Sequence, residues 1–202
     1  EFRRVLFRPW YLGETVITSI GQGYTLVTPM QLAEAAATLA NGGLMIQPRL
    51  IQSIKNSQTG KIETFKNKIV RELHFKPENL ALVKEGMINV TQPGGTAASV
   101  GAGAPYKIAA KTGTAQVVEM KENQKYNPNR MNERHRDHAL FIAYAPADEP
   151  TIAVAIIVEN GGHGGSTAGP IARKLMDYYL LKKVSSNKDE NKEGSLESEY
   201  HD

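Results

Sequence analysis

Residues Lys107–Val118 read KIAAKTGTAQVV. Ile108, Ala109 and Ala110 predict a buried strand that runs without a break into Lys111-Thr112-Gly113-Thr114 and on from Ala115 to Val118. A cation, two hydroxyls and a glycine in one short stretch can make an anion site. Lys111 brings charge, Thr112 and Thr114 bring donors, and Gly113 leaves room for a ligand or another backbone to come close. Four residues alone equally describe a solvated strand end that turns, so the surrounding sequence has to decide.

Downstream, Ala139–Ala145 and Thr151–Val158 are apolar, β-rich runs joined by the turn Pro146-Ala147-Asp148-Glu149-Pro150, a predicted hairpin. The stretch Met120–Arg136 that separates them from KTGT is polar, and reads as a substrate-side flap or a solvated insertion. Asn160–Gly169 is glycine-rich. Pro170 then opens a closing helix with Ile171, Leu175, Tyr178 and Tyr179 expected on its inward side. An antiparallel three-stranded sheet with a C-terminal helix packed on it is an α+β arrangement.

Upstream, the β-branched density of Thr15–Ile20 predicts a strand, followed by a loop at Gly21-Gln22-Gly23-Tyr24. Gly21-Gln22-Gly23 reads as a turn packing beneath the site. Thr28, Pro29 and Gln31 supply an N-cap, an N1 proline and a capping-box partner for a helix. Leu32, Ala35, Ala36 and Leu39 give that helix one apolar stripe, and Asn41-Gly42-Gly43 stops it. Leu44–Ile54 and Lys61–Phe65 are expected as short strands about a turn at Ser57–Gly60. Pro77 opens another helix, with Leu80, Val83, Met87 and Ile88 inward, closed by Pro93-Gly94-Gly95.

The composition excludes several classes. The 202 residues include no cysteine, so there is no disulfide framework, thiolate zinc site or cysteine nucleophile. The longest clean apolar run, Ile152–Val158, is far short of the ~20 residues a membrane helix needs. Net charge is +3, but Ser185–Asp202 holds two Lys against six acids, a local −4 that leaves +7 on the remainder. Such mild basicity suits an acidic substrate and falls short of a nucleic-acid footprint. Three units are expected. Residues 1–9, EFRRVLFRP, read as a non-native junction, 10–183 as the folded portion, and 184–202 as a disordered charged tail.

The wider set of motifs is more specific than KTGT alone. GQG is followed by Thr28-Pro29-Met30-Gln31-Leu32-Ala33 and an alanine-rich helix ending Asn41-Gly42-Gly43. Then come KTGTAQV (111–117), RDHALFIAYAPAD (136–148) and VENGGHGGSTAGPIARK (158–174). From roughly Trp10 to Lys182 the chain resembles the C-terminal part of the transpeptidase domain of class B penicillin-binding proteins, and most closely their Gram-negative elongation branch. The resemblance implies a partial penicillin-binding transpeptidase or serine β-lactamase-like fold. It also implies serine acyl transfer on peptidoglycan stem peptides, with β-lactams as substrate mimics. On the matching residues, Lys111 would set the site's electrostatics and hold a substrate carboxylate, with the hydroxyls of Thr112 and Thr114 bonded to it. The Thr114 N–H would be an oxyanion-hole donor, and Gly113 would leave room for the substrate chain. Loss of one such donor costs on the order of 3 kcal/mol. The family further implies no cofactor or metal, a SEDS-family glycan polymerase as partner, and no nucleic acid. It implies an inner-membrane anchor not in this chain and a periplasmic catalytic domain.

In one respect the sequence departs from the family. No S-x-x-K precedes Lys111, and the one match, Ser185-Ser186-Asn187-Lys188, lies in the polar tail together with the one S-x-N. The expectation is therefore a chain that starts downstream of its nucleophile and does not acylate alone. A serine β-lactamase fragment and a non-catalytic penicillin-binding sensor or structural module remain as alternatives. Other candidates read as architecture. His135-x-Asp137-His138 fits a hydrogen-bonded strand start better than a metal site, and His163 a rim histidine. Asn160–Gly169 lacks both nucleotide fingerprints, Gly101-Ala102-Gly103 is a turn, and Asn89-Val90-Thr91 is a glycosylation match without meaning in a bacterial chain.

Overall fold

In a computed structural model the described residues are 10–23, 25–118 and 132–196. Residues 1–9, Tyr24, most of the polar stretch 120–136 and the last six residues lie outside them. Helix α1 spans Leu12–Ser19 and α2 Pro29–Ala40. Four short strands follow, β1 Leu44–Ile46, β2 Ser53–Lys55, β3 Ile62–Thr64 and β4 Ile69–Glu72. Next come α3 Pro77–Asn89, the single turn α4 Ala98–Gly101 and strand β5 Ala109–Ala115. A 3-10 turn at Glu133–His135 leads into β6 His138–Ala145 and β7 Ile152–Val158. A π-helical turn, Gly164–Ala168, runs into the last helix, α5, Gly169–Leu196. None of the helices among the described residues is long and apolar enough to cross a membrane.

The centre is an antiparallel sheet in the order β5-β6-β7, with Lys111 opposite Ile142, Thr114 opposite Ala139, and Ala143 opposite Val154. Strand side chains alternate between faces, and each face here is buried under helices. Ala110, Ala139, Phe141, Ala143 and Val154 pack with Ala168, Ala172 and Met176 of the π-turn and α5. Ala109, Tyr144 and Ala153 pack on the opposite face with Ala40 of α2 and Met87 of α3. The expected sheet and C-terminal helix are therefore present, and α2 and α3 add a third layer. Thr91 ties α3 to β5 by donating from Oγ1 to the Ile108 carbonyl at 2.8 Å. The Lys84 ammonium caps the end of α2 through the Ala40 carbonyl at 3.1 Å, where the helix dipole favours a cation.

Several local expectations are corrected. Thr15–Ile20 lies in or directly after helix α1, not in a strand. Glu14 folds back to accept the Tyr11 amide, and Trp10 Nε1 donates to Thr15 Oγ1 at 2.7 Å, so local capping overrides β-branched propensity. The run Leu44–Ile54 divides at Pro48, which cannot donate to a ladder. Its first half pairs with β4, which was not anticipated, while β2 and β3 form the expected hairpin. Val83 is exposed and Met87 buried. On α5 the apolar face is inverted: Ile171, Leu175, Tyr178 and Tyr179 are exposed, and Ala172 and Met176 are fully buried. The sheet offers mostly alanine methyls here, so the helix comes close only with small residues and one flexible methionine facing it.

Candidate active site

The alternation of β5 decides how KTGT is displayed. Ala109 belongs to the core under α2 and α3, and Ala110 to the core under α5. Lys111 and Gly113 therefore share the first face, Thr112 and Thr114 the second. Among the described residues β5 is an edge strand, paired with β6 alone. The Thr112 carbonyl accepts from Lys111 Nζ at 2.7 Å, and the Thr114 carbonyl from Gln22 Nε2 at 2.7 Å. Carbonyls engaged by side chains in this way lie on the side of β5 away from β6. A strand residue's N–H and C=O point the same way, so Thr112 and Thr114 turn their amides to that outer edge as well.

Around this edge the charge and hydroxyls converge. Lys111 is exposed, and among the described residues its ammonium makes no ion pair. Its charge is left to attract an anion. Thr112 Oγ1 lies 3.3 Å from Thr96 Oγ1, and either hydroxyl can rotate to donate outward. Thr96 comes from the Pro93-Gly94-Gly95 loop, which the sequence marked only as a helix stop.

Glycines let three segments stack at this point. A Cβ on Gly164 would strike the Leu140 carbonyl and sit 2.6 Å from the Gly113 carbonyl. One on Gly165 would sit 2.5 Å from the Thr96 carbonyl and 3.3 Å from Thr112 Cγ2. The π-turn is thus laid directly on the KTG backbone and the Thr96 loop, an approach open only to residues without a side chain. The glycine-rich spelling of Asn160–Gly169 was the signal for it, though sequence alone does not say what approaches.

The structure brings Lys111, Thr112, Gly113 and Thr114 together on one edge, adds Gln22 and Thr96, and sets the histidines apart from them in role. His138 Nδ1 accepts the Asn160 N–H at 2.9 Å, and Asn160 Nδ2 donates to the Arg136 carbonyl, which fastens the end of β7 to the start of β6. Among the described residues no three His, Asp or Glu side chains cluster as metal ligands. His163 is exposed immediately before the π-turn.

Farther along, α5 is locked to the segment that feeds β5. Arg173 donates to the Val100, Ala102 and Gly103 carbonyls and to Asp177, and Tyr106 Oη donates to Asp177 at 2.5 Å. Burial, with the hydrogen bond to Asp177, pushes the Tyr106 phenol far above its usual range. For Asp177, burial works against the charge, yet the donors Tyr106 and Arg173 outweigh it and hold the carboxyl below its usual value.

The sequence profile of the penicillin-binding protein transpeptidase domain matches residues 5–177. The peptidoglycan D,D-transpeptidases MrdA of Haemophilus influenzae and Escherichia coli K12 are 41% and 42% identical over 88% and 90% of this chain. The chain spans only 27% and 29% of their lengths. Among solved structures, penicillin-binding protein 2 of Pseudomonas aeruginosa matches with a TM-score of 0.70 at 40% identity, over 89% of this chain and 36% of that one. Penicillin-binding protein A of Mycobacterium tuberculosis, solved as a ceftriaxone acyl-enzyme, matches at 0.66 and 36%, over 81% and 35%. The Helicobacter pylori penicillin-binding protein 2, solved in complex with MreC, matches at 0.65 and 30%, over 88% and 29%.

Proposed function

Because the chain belongs to the penicillin-binding protein transpeptidase family, we propose that it provides the KTG side of a serine D,D-transpeptidase site that cross-links peptidoglycan stem peptides and is acylated by β-lactams. The observation that carries this reading is the outer edge of β5, unpaired with any strand among the described residues, where the Lys111 ammonium reaches the Thr112 carbonyl and the Thr112 hydroxyl lies beside that of Thr96.

The chemistry follows from that edge. An extended peptide adds to an open strand edge through its backbone, which places its terminal carboxylate among Lys111 and the threonine hydroxyls. A serine oxygen attacks the penultimate D-Ala carbonyl carbon, and the oxygen of that carbonyl takes up negative charge facing the Thr114 N–H. Collapse breaks the C–N bond, terminal D-Ala leaves as an amine, and an ester to the serine remains. An amine from a neighbouring stem peptide then attacks the ester, forms the cross-link and frees the serine. No serine ahead of Lys111 stands in an S-x-x-K sequence, so in this proposal the nucleophile is not among these residues. Elongation rather than septation, a SEDS-family polymerase or an MreC-like scaffold as partner, and an anchored periplasmic setting complete the proposal. The Helicobacter pylori penicillin-binding protein 2 solved with MreC supports the scaffold part of it.

The first test is the coding sequence upstream of Glu1. Continuation of the frame into S-x-x-K and then S-x-N is the expected result, and a start codon just before Glu1 would overturn the enzymatic reading. In the complete protein, Lys111→Ala should slow acylation by fluorescent penicillin about 100-fold, the scale of losing one charge-stabilising group in an acyl-transfer site. Unchanged labelling would remove Lys111 from the site.

A further inference from the structure

Gln22 is 92 positions from Thr114 in sequence, yet its Nε2 donates to the Thr114 carbonyl at 2.7 Å in a part-buried bond. The assignment of Nε2 as donor is chemically forced, since a carbonyl oxygen can only accept. The loop that carries it is held at its backbone. The Ile20, Gly21 and Gln22 amides bond back to the Ile17 and Thr18 carbonyls at the end of α1. Flanking Gly21 and Gly23 take φ of 77° and 90°, a left-handed turn on either side of the glutamine. The side chain can therefore change partner while the loop stays in place.

The acceptor that Gln22 occupies is on the outer edge of β5, which no strand pairs with among the described residues. A ligand lying along β5 as an added strand needs an acceptor for its own amide N–H, and the Thr112 carbonyl is already engaged by Lys111. Gln22 Nε2 is itself a primary amide donor, the same chemical group that a peptide ligand would bring. Exchange of one for the other is a swap of like hydrogen bonds at one oxygen.

We infer that Gln22 is a specificity-determining residue: it fills the Thr114 carbonyl in the unliganded site and is displaced there by the amide N–H of an incoming acyl donor. This deepens the transpeptidase reading above and rests on it. Removing Gln22 vacates the acceptor and favours ligands that carry such an N–H. Ligands without it gain nothing.

The test uses the complete protein, with second-order acylation rates for a penicillin that bears an acylamino N–H and a carbapenem that lacks one. Gln22→Ala should raise the penicillin-to-carbapenem ratio by about three- to ten-fold, the size of one neutral hydrogen bond. The gain should fall in the binding constant, with the limiting acylation rate unchanged. Gln22→Met, which keeps the length without a donor, should give the same ratio if packing alone is not at issue. An unchanged ratio, or an equal fall for both ligands in both variants, would make Gln22 a structural brace and overturn the inference. A wild-type protein acylated by neither ligand would overturn the transpeptidase reading, and this inference with it.

Discussion

Thr114 and Tyr144 lie on strands of one sheet, yet opposite rules govern their polar atoms. The Thr114 carbonyl is on an open edge and takes a partner from a distant loop. The Tyr144 side chain is wholly buried against Ala40, Met87 and Ala109, and among the described residues its hydroxyl has no hydrogen-bond partner. A buried hydroxyl without a partner loses its hydration for nothing, and its pKa is raised by that burial. Tyr144→Phe should accordingly raise stability by about 1 kcal/mol in chemical denaturation. A loss of similar size would mean that the hydroxyl is satisfied. The KTGT stretch was legible at this scale as a cation, two hydroxyls and a glycine at the end of an apolar strand, and the surrounding motifs gave it its meaning. Thr96 was not, and Gln22 was read only as part of a turn beneath the site, because their bonds depend on contacts across 16 and 92 positions.

At the scale of elements, the π-turn and α5 hold the KTG strand from one face and one end. Gly164→Ala has no room at the Gly113 and Leu140 carbonyls, and neither is a side chain that can swing away. The expected cost is about 3 kcal/mol, the upper end of overpacking, read as a lowered denaturation midpoint. Gly162, which has nothing within reach of a Cβ but a φ of 77°, should cost less. The Tyr106–Asp177–Arg173 lock predicts a pH response. The Asp177 carboxyl is depressed in the folded state, so its contribution is complete above its unfolded value near 3.8 and is lost as pH falls through the folded one. Tyr106, raised in the folded state, contributes below its unfolded value near 10 and loses that contribution as pH rises above it. Asp177→Asn should be less stable at neutral pH and show a flatter decline below about pH 4. An acid limb identical to that of the wild type would show that Asp177 does not carry it. The inverted apolar face of α5 belongs to this scale too. Its periodicity was readable, but which stripe faces inward depends on the alanine-lined sheet it meets.

Across the molecule, the packing is concentrated in the two cores that sandwich β5-β6-β7, while β2, β3 and β4 are exposed at every residue. Stability should follow that division. Phe141→Ala, at the centre of the α5 core, should cost about 3–5 kcal/mol. Ile54→Ala, on an exposed strand of the β2–β3 hairpin, should stay within about 0.5 kcal/mol. Equal costs for the two would mean that the hairpin is buried against something else.

What the amino-acid sequence determined by itself was local and chemical. Apolar runs bounded by turns specified β6 and β7, the Thr28 box and the Asn41-Gly42-Gly43 stop specified α2, and KIAAKTGTA specified the strand that carries the candidate site. Each of these rests on residues within a few positions of one another. The tertiary structure alone decided which edge of β5 is open, which stripe of α5 is buried, and that Thr15–Ser19 coils where its composition favours extension. It alone brought Thr96 and Gly164 to the KTG strand and gave Gln22 its bond to the Thr114 carbonyl. The physical reason is that burial and hydrogen-bond satisfaction are settled among groups far apart in the chain, and local propensities are too weak to stand against them.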